Sequence, residues 1–98
     1  MGKKTDRDLV SVLILAYNAE KYIRDLLESI KDQTYQNIEI IISDDASKDD
    51  TVRIAQVWKD ENQLCLEKMM IRSSEQNQGV VKNANLGFEL CNGRYIKV

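Results

Sequence analysis

Hydrophobic positions along the chain follow two alternating patterns. Almost continuous apolar runs at Leu9–Leu15 and Ile38–Ser43 are typical of strands that are covered on both faces of a parallel sheet. Between these runs, apolar residues recur at the spacing of one helix face, at Ile23, Leu26, Leu27 and Ile30. The first part of the chain is therefore predicted to run strand, helix, strand.

The same alternation continues to the last residue. The pattern predicts a second helix from about residues 49–51 to 60, a third strand within 64–72 (clearest at 68–71), a third helix over 80–91 and a fourth strand over 94–98. Strands that alternate with helices indicate a parallel sheet wound by right-handed crossovers. We predict a Rossmann-like α/β sheet in the order 3-2-1-4 with helices on both faces.

Local residues give more detail about the helices. Asn18 or Ala19 is expected near the N-cap of the first helix, and Gly93 is expected to end the third helix as a glycine C-cap. Trp58 falls on the apolar face of the second helix, where a core packing role is favoured over a ligand platform.

Two adjacent acids, Asp44 and Asp45, follow directly after the second strand. Ligands bind beyond the carboxyl ends of strands in open parallel sheets, so the pair is a candidate site. Alternatively, both acids are turn residues, Ser47 is the N-cap of the next helix and Asp50 completes a capping box. The sequence leaves both interpretations open.

Composition and charge narrow the classes of function. The chain has 98 residues, 14 basic and 16 acidic, with a net charge of -2 and no histidine. This length gives one domain or part of one, and this charge argues against a nucleic acid partner. No apolar run is long enough to span a bilayer. Cys65 and Cys91 form no CxxC pair, so reduced thiols in a soluble cytoplasmic protein are expected.

The turn after the first strand, residues 16–20, contains no glycine, which disfavours NAD or FAD. A P-loop is absent, and a phospho-accepting receiver domain would carry its acids after the first strand. A nucleotide remains possible at this edge of the sheet, because an aromatic ring such as Tyr17 can flank a base and a carboxylate can accept from a base N–H. Lys82 could neutralise a phosphate beside a helix N-terminus. Equally, Tyr17 could be a packing residue and Lys82 a solvated helix lysine.

Several motifs resemble the family 2 glycosyltransferases. The first strand with its turn is similar to the opening V-S-(V/I)-…-Y-N of that family, and residues 44–51 are similar to its D-D-G-S-x-D-x-T. The remaining similar segments occur in the family's order, at Gln33-Thr34-Tyr35, Asn77-Gln78-Gly79, Asn85-Leu86-Gly87 and Gly93-Arg94-Tyr95-Ile96. The resemblance extends over about residues 9 to 98.

This resemblance implies an A-type glycosyltransferase fold and a nucleotide-diphosphate sugar donor, with UDP-sugars the commoner choice, and transfer with inversion. By position, Ala16 and Tyr17 line the nucleoside pocket, and Asn18 is a further candidate for donor binding. Asp45 is placed on the base, and Asp44 is placed beside it as a supporting acid. Two positions depart from the family pattern. Ala46 replaces a glycine, which suggests that this position need not be left-handed. Ala84 replaces a phosphate-binding arginine, for which Lys82 could substitute.

The resemblance also implies features that the sequence does not contain. The family's D-x-D acids, which hold a divalent metal (Mn²⁺ or Mg²⁺), and its general base fall beyond Val98. We therefore expect residues 1–98 to be the nucleotide-sugar-binding portion of a glycosyltransferase domain, with no catalytic or metal-binding residue and no activity alone. An exposed fourth strand is expected to favour homo-oligomers. The alternative function is a non-catalytic nucleotide-binding or interaction module.

Overall fold

The fold of the chain is an α/β sheet that matches the predicted class. The computed structural model describes residues 9–32, 37–63 and 68–92, together with the backbone of residues 95–97. Within these ranges the elements are, in chain order, β1 (Val10–Ala16), α1 (Ile23–Lys31), β2 (Ile38–Asp44), α2 (Thr51–Glu61), β3 (Lys68–Ser73), α3 (Val80–Phe88) and β4 (Tyr95–Lys97). The expected alternation of strands and helices is confirmed.

All strand pairings in the sheet are parallel. The strands lie in the order β3-β2-β1-β4. At the carboxyl end of the sheet, Ala16 of β1 is in register with Asp44 of β2, which is in register with Ser73 of β3. Three strand ends therefore meet at one edge, and we call this the carboxyl edge.

One face of the sheet packs against α1 and α2 and is apolar. Alternate residues of the strands point to this face, because successive side chains of a strand point in opposite directions. Trp58 of α2 has no exposed surface, which confirms its predicted place in the core. The buried cluster on this face comprises Ile14, Ala16, Ala19, Ile23, Leu27, Ile30, Ile38, Ile40, Ile42, Ala55, Trp58 and Met69.

The opposite face packs against α3 and is partly polar. Gly87 lies so close to the sheet that a Cβ atom there would be 2.5 Å from Leu13 Cδ1 and 3.0 Å from Ser43 Cβ. The missing side chain thus permits the close approach of α3. The buried polar side chains on this face are Ser11, Glu39, Ser43 and Asn83.

Glu39 is fully buried near the amino end of β2, beside the end of α3. Its Oε2 accepts from Ser11 Oγ (2.5 Å) and from the backbone N of Asn92 (2.6 Å). Burial raises the pKa of Glu39, but the hydrogen bonds from Ser11 and Asn92 outweigh burial and hold the pKa below its ordinary value. The half-buried Cys91 is a free thiol, and burial together with the charge of Glu39 raises its pKa.

The predicted start of the first helix is wrong. The N-cap of α1 is Tyr22, not Asn18 or Ala19. The carbonyl of Ala19 accepts from the backbone N of both Tyr22 (3.1 Å) and Ile23 (2.9 Å), so that a turn precedes the helix. The backbone N of Ala19 donates to Thr51 Oγ1 at 2.7 Å, and Thr51 is the first residue of α2.

Other predicted helix ends also differ from the structure. The N-cap of α2 is Asp50 rather than Ser47, and its side chain makes no capping hydrogen bond. The helix α3 ends at Phe88, three residues before the predicted end. The expected C-cap at Gly93, the thiol of Cys65 and the segment 33–35 lie outside the described residues. In the described part of the chain, no helix has both the length and the apolar character that a membrane span requires.

Candidate functional site

The carboxyl edge brings together the predicted residues of the first two strands. The backbone N of Asp45 donates to the backbone O of Ala16 at 2.9 Å, so β1 and β2 remain paired one residue beyond the end of β2. Ala16 is buried, whereas the next residue, Tyr17, is 48% exposed. The ring of Tyr17 and the carboxylate of Asp45 therefore leave the sheet from adjacent strand ends.

Asp44 is fully buried and acts as the acceptor for two neighbouring segments. Its Oδ2 accepts from the backbone N of Ser47 (2.9 Å) and from Ser73 Oγ (3.1 Å). Its Oδ1 accepts from the hydroxyl of Ser47. These contacts agree with the turn interpretation of Asp44, although Ser47 is not a helix cap.

Asp45 holds the segment that precedes α3. Its Oδ1 accepts from the backbone N of Gln78 at 2.6 Å, and its Oδ2 accepts from the backbone N of Gly79 at 3.0 Å. The side chain is nearly buried, with 5% of the residue exposed. An ionised carboxylate offers about four acceptor positions, so each oxygen keeps capacity for a further donor.

Gly79 is the N-cap of α3 and has a φ of 91°, which favours glycine. A Cβ atom at Gly79 would meet nothing within 4 Å, so the backbone conformation rather than space requires glycine. The predicted Lys82 lies in the first turn of α3 and is exposed. Its side chain makes no ion pair with any acid of the described ranges.

Two loops at the carboxyl edge are bonded to each other, and we call residues 17–22 and 45–50 the paired loops. Asn18 N donates to Ser47 Oγ (2.8 Å), and Lys48 N donates to Asn18 Oδ1 (2.9 Å). In the same reciprocal manner, Glu20 N donates to Asp49 Oδ2 (3.2 Å), and the backbone N of residue 50 donates to Glu20 Oε1 (3.0 Å). Each loop thus satisfies backbone donors of the other.

Hydrogen bonding also tunes Asp49, which lies at the centre of the paired loops. Partial burial raises the pKa of this carboxyl, but hydrogen bonds from the Thr51 hydroxyl and from the backbone of Thr51 and Glu20 outweigh burial and hold the pKa below its ordinary value. Asp49 therefore stays ionised and keeps its acceptor role at neutral pH.

The suggestion that position 46 need not be left-handed is not borne out. Ala46 has a φ of 61° and is left-handed, as is Asn18 with a φ of 50°. Asparagine tolerates this region, but alanine is disfavoured there by about 1–2 kcal/mol. The hydrogen bond from Ser47 N to Asp44 Oδ2 spans Ala46 and closes the turn in which Ala46 has this conformation.

Sequence analysis did not identify a polar cluster beside the site. Arg72 Nη1 donates to Ser43 Oγ (2.7 Å) and to Asn83 Oδ1 (3.1 Å), and Asn83 Nδ2 donates to the backbone O of Ser43 at 2.9 Å. The hydroxyl of Ser43 also lies 2.7 Å from Asn83 Oδ1. This cluster fixes the first turn of α3 to β2 and β3. A polar Ser43 within an isoleucine-rich strand was the signal in the sequence that could have indicated it.

The described residues do not fit a divalent metal. Oxygens of both Asp44 and Asp45 accept from N–H or O–H donors. Across the ranges that the structure describes, no group of three acidic, cysteine or histidine side chains is arranged to hold a metal ion. We therefore derive no chemical step through a metal in this chain.

Comparisons with known proteins agree on one family. The sequence model "Glycosyl transferase family 2" matches residues 11–98. A similar curated protein is the Escherichia coli UDP-Glc:alpha-D-GlcNAc-diphosphoundecaprenol beta-1,3-glucosyltransferase WfaP, which is 39% identical over 91% of this chain and 33% of its own length. The chain therefore spans about a third of the length of this relative.

Solved structures share the fold. S. aureus TarS in complex with UDP-GlcNAc superposes with a TM-score of 0.76 and is 29% identical, over 89% of this chain and 24% of the other. The Pyrobaculum calidifontis mannosyltransferase PcManGT, solved in complex with GDP-Man and Mn2+, has a TM-score of 0.75 and 22% identity, over 82% of this chain and 23% of its own. Both likenesses show that the chain shares its fold with the matched parts of these two proteins.

Proposed function

The chain belongs to glycosyl transferase family 2, and from this premise we propose that its carboxyl edge binds the nucleoside of a nucleotide-diphosphate sugar. The chain would be the donor-binding part of an inverting glycosyltransferase. One observation carries the proposal. The backbone bond from Asp45 N to Ala16 O joins the ends of β1 and β2, so that the exposed Tyr17 and the nearly buried Asp45 follow directly after adjacent strand ends.

Recognition of the base is assigned to Asp45. Uracil presents one N–H flanked by two carbonyl groups, and a carboxylate is a strong acceptor for such a donor. The free acceptor positions of Asp45 allow this bond without loss of the bonds from Gln78 and Gly79. Uridine is favoured because the similar TarS structures were solved with UDP and with UDP-GlcNAc. Tyr17 would cover one face of the base.

The diphosphate is assigned to the start of α3. The first backbone N–H groups of a helix have no partner within the helix, and the helix dipole favours negative charge there. Lys82 adds a full positive charge in the same turn and is free of ion pairs with the described acids. This turn is fixed in place, because Asp45 holds Gly79 and Ser43 holds Asn83.

In the proposed reaction, an acceptor hydroxyl oxygen attacks the anomeric carbon while the bond from that carbon to the diphosphate breaks. The nucleoside diphosphate leaves with the bonding electrons, and the hydroxyl proton passes to a base. The described residues contribute donor binding and orientation, and we assign no catalytic residue among them. Binding without transfer is therefore expected for residues 1–98. A cytoplasmic location and homo-oligomers through the exposed edge strand stay predictions.

Calorimetric titration with uridine, UDP and GDP tests the proposal. We expect UDP to bind with a dissociation constant on the order of 0.1 to 10 mM, or roughly 3 to 5 kcal/mol. Asp45→Asn should weaken UDP binding by about 1 to 3 kcal/mol, because the base N–H loses a charged acceptor. Asp25→Asn, an exposed acid in the first turn of α1, is the matched control and should bind as the wild type does.

The variant Asp44→Asn distinguishes the role of Asp44 from that of Asp45. Because Asp44 holds Ser47 and Ser73, this variant should lose stability while keeping most of the UDP affinity. Unaltered UDP affinity in Asp45→Asn would show that the site is assigned wrongly. Sugar transfer by residues 1–98 alone would contradict the assignment of no catalytic residue among them. Binding without transfer in every longer form of the protein would favour the non-catalytic module.

A further inference from the structure

Arg72 is a half-buried cation at the carboxyl edge with neutral partners. Its Nη1 donates to Ser43 Oγ (2.7 Å) and Asn83 Oδ1 (3.1 Å), and its Nη2 donates to Ser74 Oγ (2.5 Å). The ion pairs of the described residues involve Arg24, Lys31 and Arg53 instead. Arg72 thus carries its charge without an acidic partner in the described part of the chain.

The described residues leave part of the hydrogen-bonding capacity of the partly exposed Arg72 open to a ligand. A guanidinium has five N–H donors, and the bonds from Arg72 to Ser43, Asn83 and Ser74 use three of them. Two donors therefore have no acceptor among the described residues.

The position of Arg72 indicates which anion could meet it. The next two residues, Ser73 and Ser74, both donate to Asp44, through the Ser73 hydroxyl (3.1 Å) and the Ser74 backbone N (3.0 Å). On the other side, Asn83 belongs to the first turn of α3, next to Lys82. Through its bond to Asn83, the guanidinium is thus joined to the helix turn assigned to the diphosphate.

We propose that Arg72 binds the diphosphate of the nucleotide donor, together with the first turn of α3. This inference rests on the proposed nucleotide-binding function. The planar guanidinium matches two phosphate oxygens, and its bonds to Ser43, Asn83 and Ser74 hold it in one orientation before the ligand arrives. A phosphate oxygen would supply a negative charge and would accept from the two remaining donors in place of solvent.

The test compares ligands that differ only in phosphate. Wild type, Arg72→Gln and Arg72→Lys are titrated with uridine and with UDP, and Arg53→Gln serves as control because Arg53 pairs with Asp50 on the exposed surface of α2. We expect Arg72→Gln to lose about 10- to 100-fold in UDP affinity and less than twofold in uridine affinity. Arg72→Lys should lose less UDP affinity, and Arg53→Gln should behave as wild type.

Each other outcome has a definite meaning. Unchanged UDP affinity in Arg72→Gln would overturn the inference and leave the proposed function intact. Equal losses for uridine and UDP would overturn it too, because Arg72 would then only support the fold of α3. Binding of neither ligand by the wild type would overturn the proposed function itself.

If Arg72→Gln fails to fold, a measurement on the wild type tests the inference instead. The Nε–H signal of Arg72 in nitrogen-correlated NMR spectra, assigned by its loss in Arg72→Lys, should shift with UDP and remain in place with uridine. If Arg72→Lys also fails to fold, the signal is assigned by through-bond correlation spectra of the wild type. A signal that does not respond to saturating UDP would overturn the inference.

Discussion

The two faces of the sheet are built on different principles. The face under α1 and α2 is a continuous apolar cluster centred on Trp58 and the isoleucines of β2. The face under α3 instead contains hydrogen-bonded polar groups, with Glu39 at its amino end and the cluster of Arg72, Ser43 and Asn83 at the carboxyl edge. No buried side-chain polar atom of the described residues lacks a partner.

This difference separates stability from placement. The free energy of apolar burial is roughly proportional to the buried area and depends little on direction. It therefore stabilises the packing of α1 and α2 on the sheet without by itself defining one orientation. Hydrogen bonds require defined distances and angles, so Ser43 and Asn83 fix α3 in one position. The helix that begins at the proposed site is thus held to the sheet by directional contacts.

The largest expected effect tests the apolar face. Trp58→Ala should cost about 3–5 kcal/mol in the free energy of unfolding, because the cavity cannot fully collapse. It also removes the bond from Trp58 Nε1 to Glu28 Oε2 at 2.7 Å. Urea unfolding followed by circular dichroism measures the loss. Val57→Ala, one residue away and exposed, is the control. A loss below about 1 kcal/mol for Trp58→Ala would show that stability does not reside on this face.

An intermediate effect is expected on the polar face, at Glu39. Its pKa is lower in the folded chain than in the unfolded chain, so its contribution to stability is fully present above about pH 5 and is lost as the pH falls through the folded value. Glu39→Gln keeps an oxygen for Ser11 and Asn92 but cannot ionise. At neutral pH it should cost about 1 kcal/mol.

The pH series isolates this carboxylate from the others. We expect the stability difference between wild type and Glu39→Gln to shrink as the pH is lowered from 6 to 3, in a series of urea titrations. Glu28→Gln is the control for an exposed carboxylate, whose pKa is also lowered, chiefly by its bond from Trp58. A difference for Glu39→Gln that stays constant with pH would refute the charged role of Glu39.

The smallest effect is expected between the faces, at Ala46, where backbone conformation rather than packing matters. Ala46→Gly relieves a left-handed alanine but increases the entropy of the unfolded chain, so we expect a net gain of up to about 1 kcal/mol. Ala84→Gly within α3 is the opposite control and should cost about 1 kcal/mol. Thermal unfolding of the two variants measures both changes in stability. Destabilisation by Ala46→Gly would show that the left-handed alanine is not strained.

The elements of the fold could be predicted because their patterns are local. Apolar runs and helical spacing within ten residues identified every strand and helix. Helix starts could not be placed in the same way. The start of α1 depends on Thr51, which is 32 residues from its partner Ala19, and no local signal encodes that bond.

The candidate site was predictable in its position but not in its contacts. Asp44 and Asp45 end a strand, which is visible in the sequence, but Asp45 bonds Gln78 and Gly79 from another crossover. The left-handed Ala46 went against the residue preference, because neighbouring hydrogen bonds outweigh that preference. Arg72 gave no signal, since a single arginine at the end of an irregular strand has no periodic partner.

The paired loops have a consequence for protein engineering and for evolutionary change. Because Asn18 and Glu20 exchange hydrogen bonds with residues 47–50 in both directions, neither loop can change length alone without leaving donors of the other unmatched. Recombination between relatives should therefore succeed when crossovers fall within β1 or after Thr51, and should fail when they separate the two loops. Residues 17–51 form the smallest unit that can be exchanged intact.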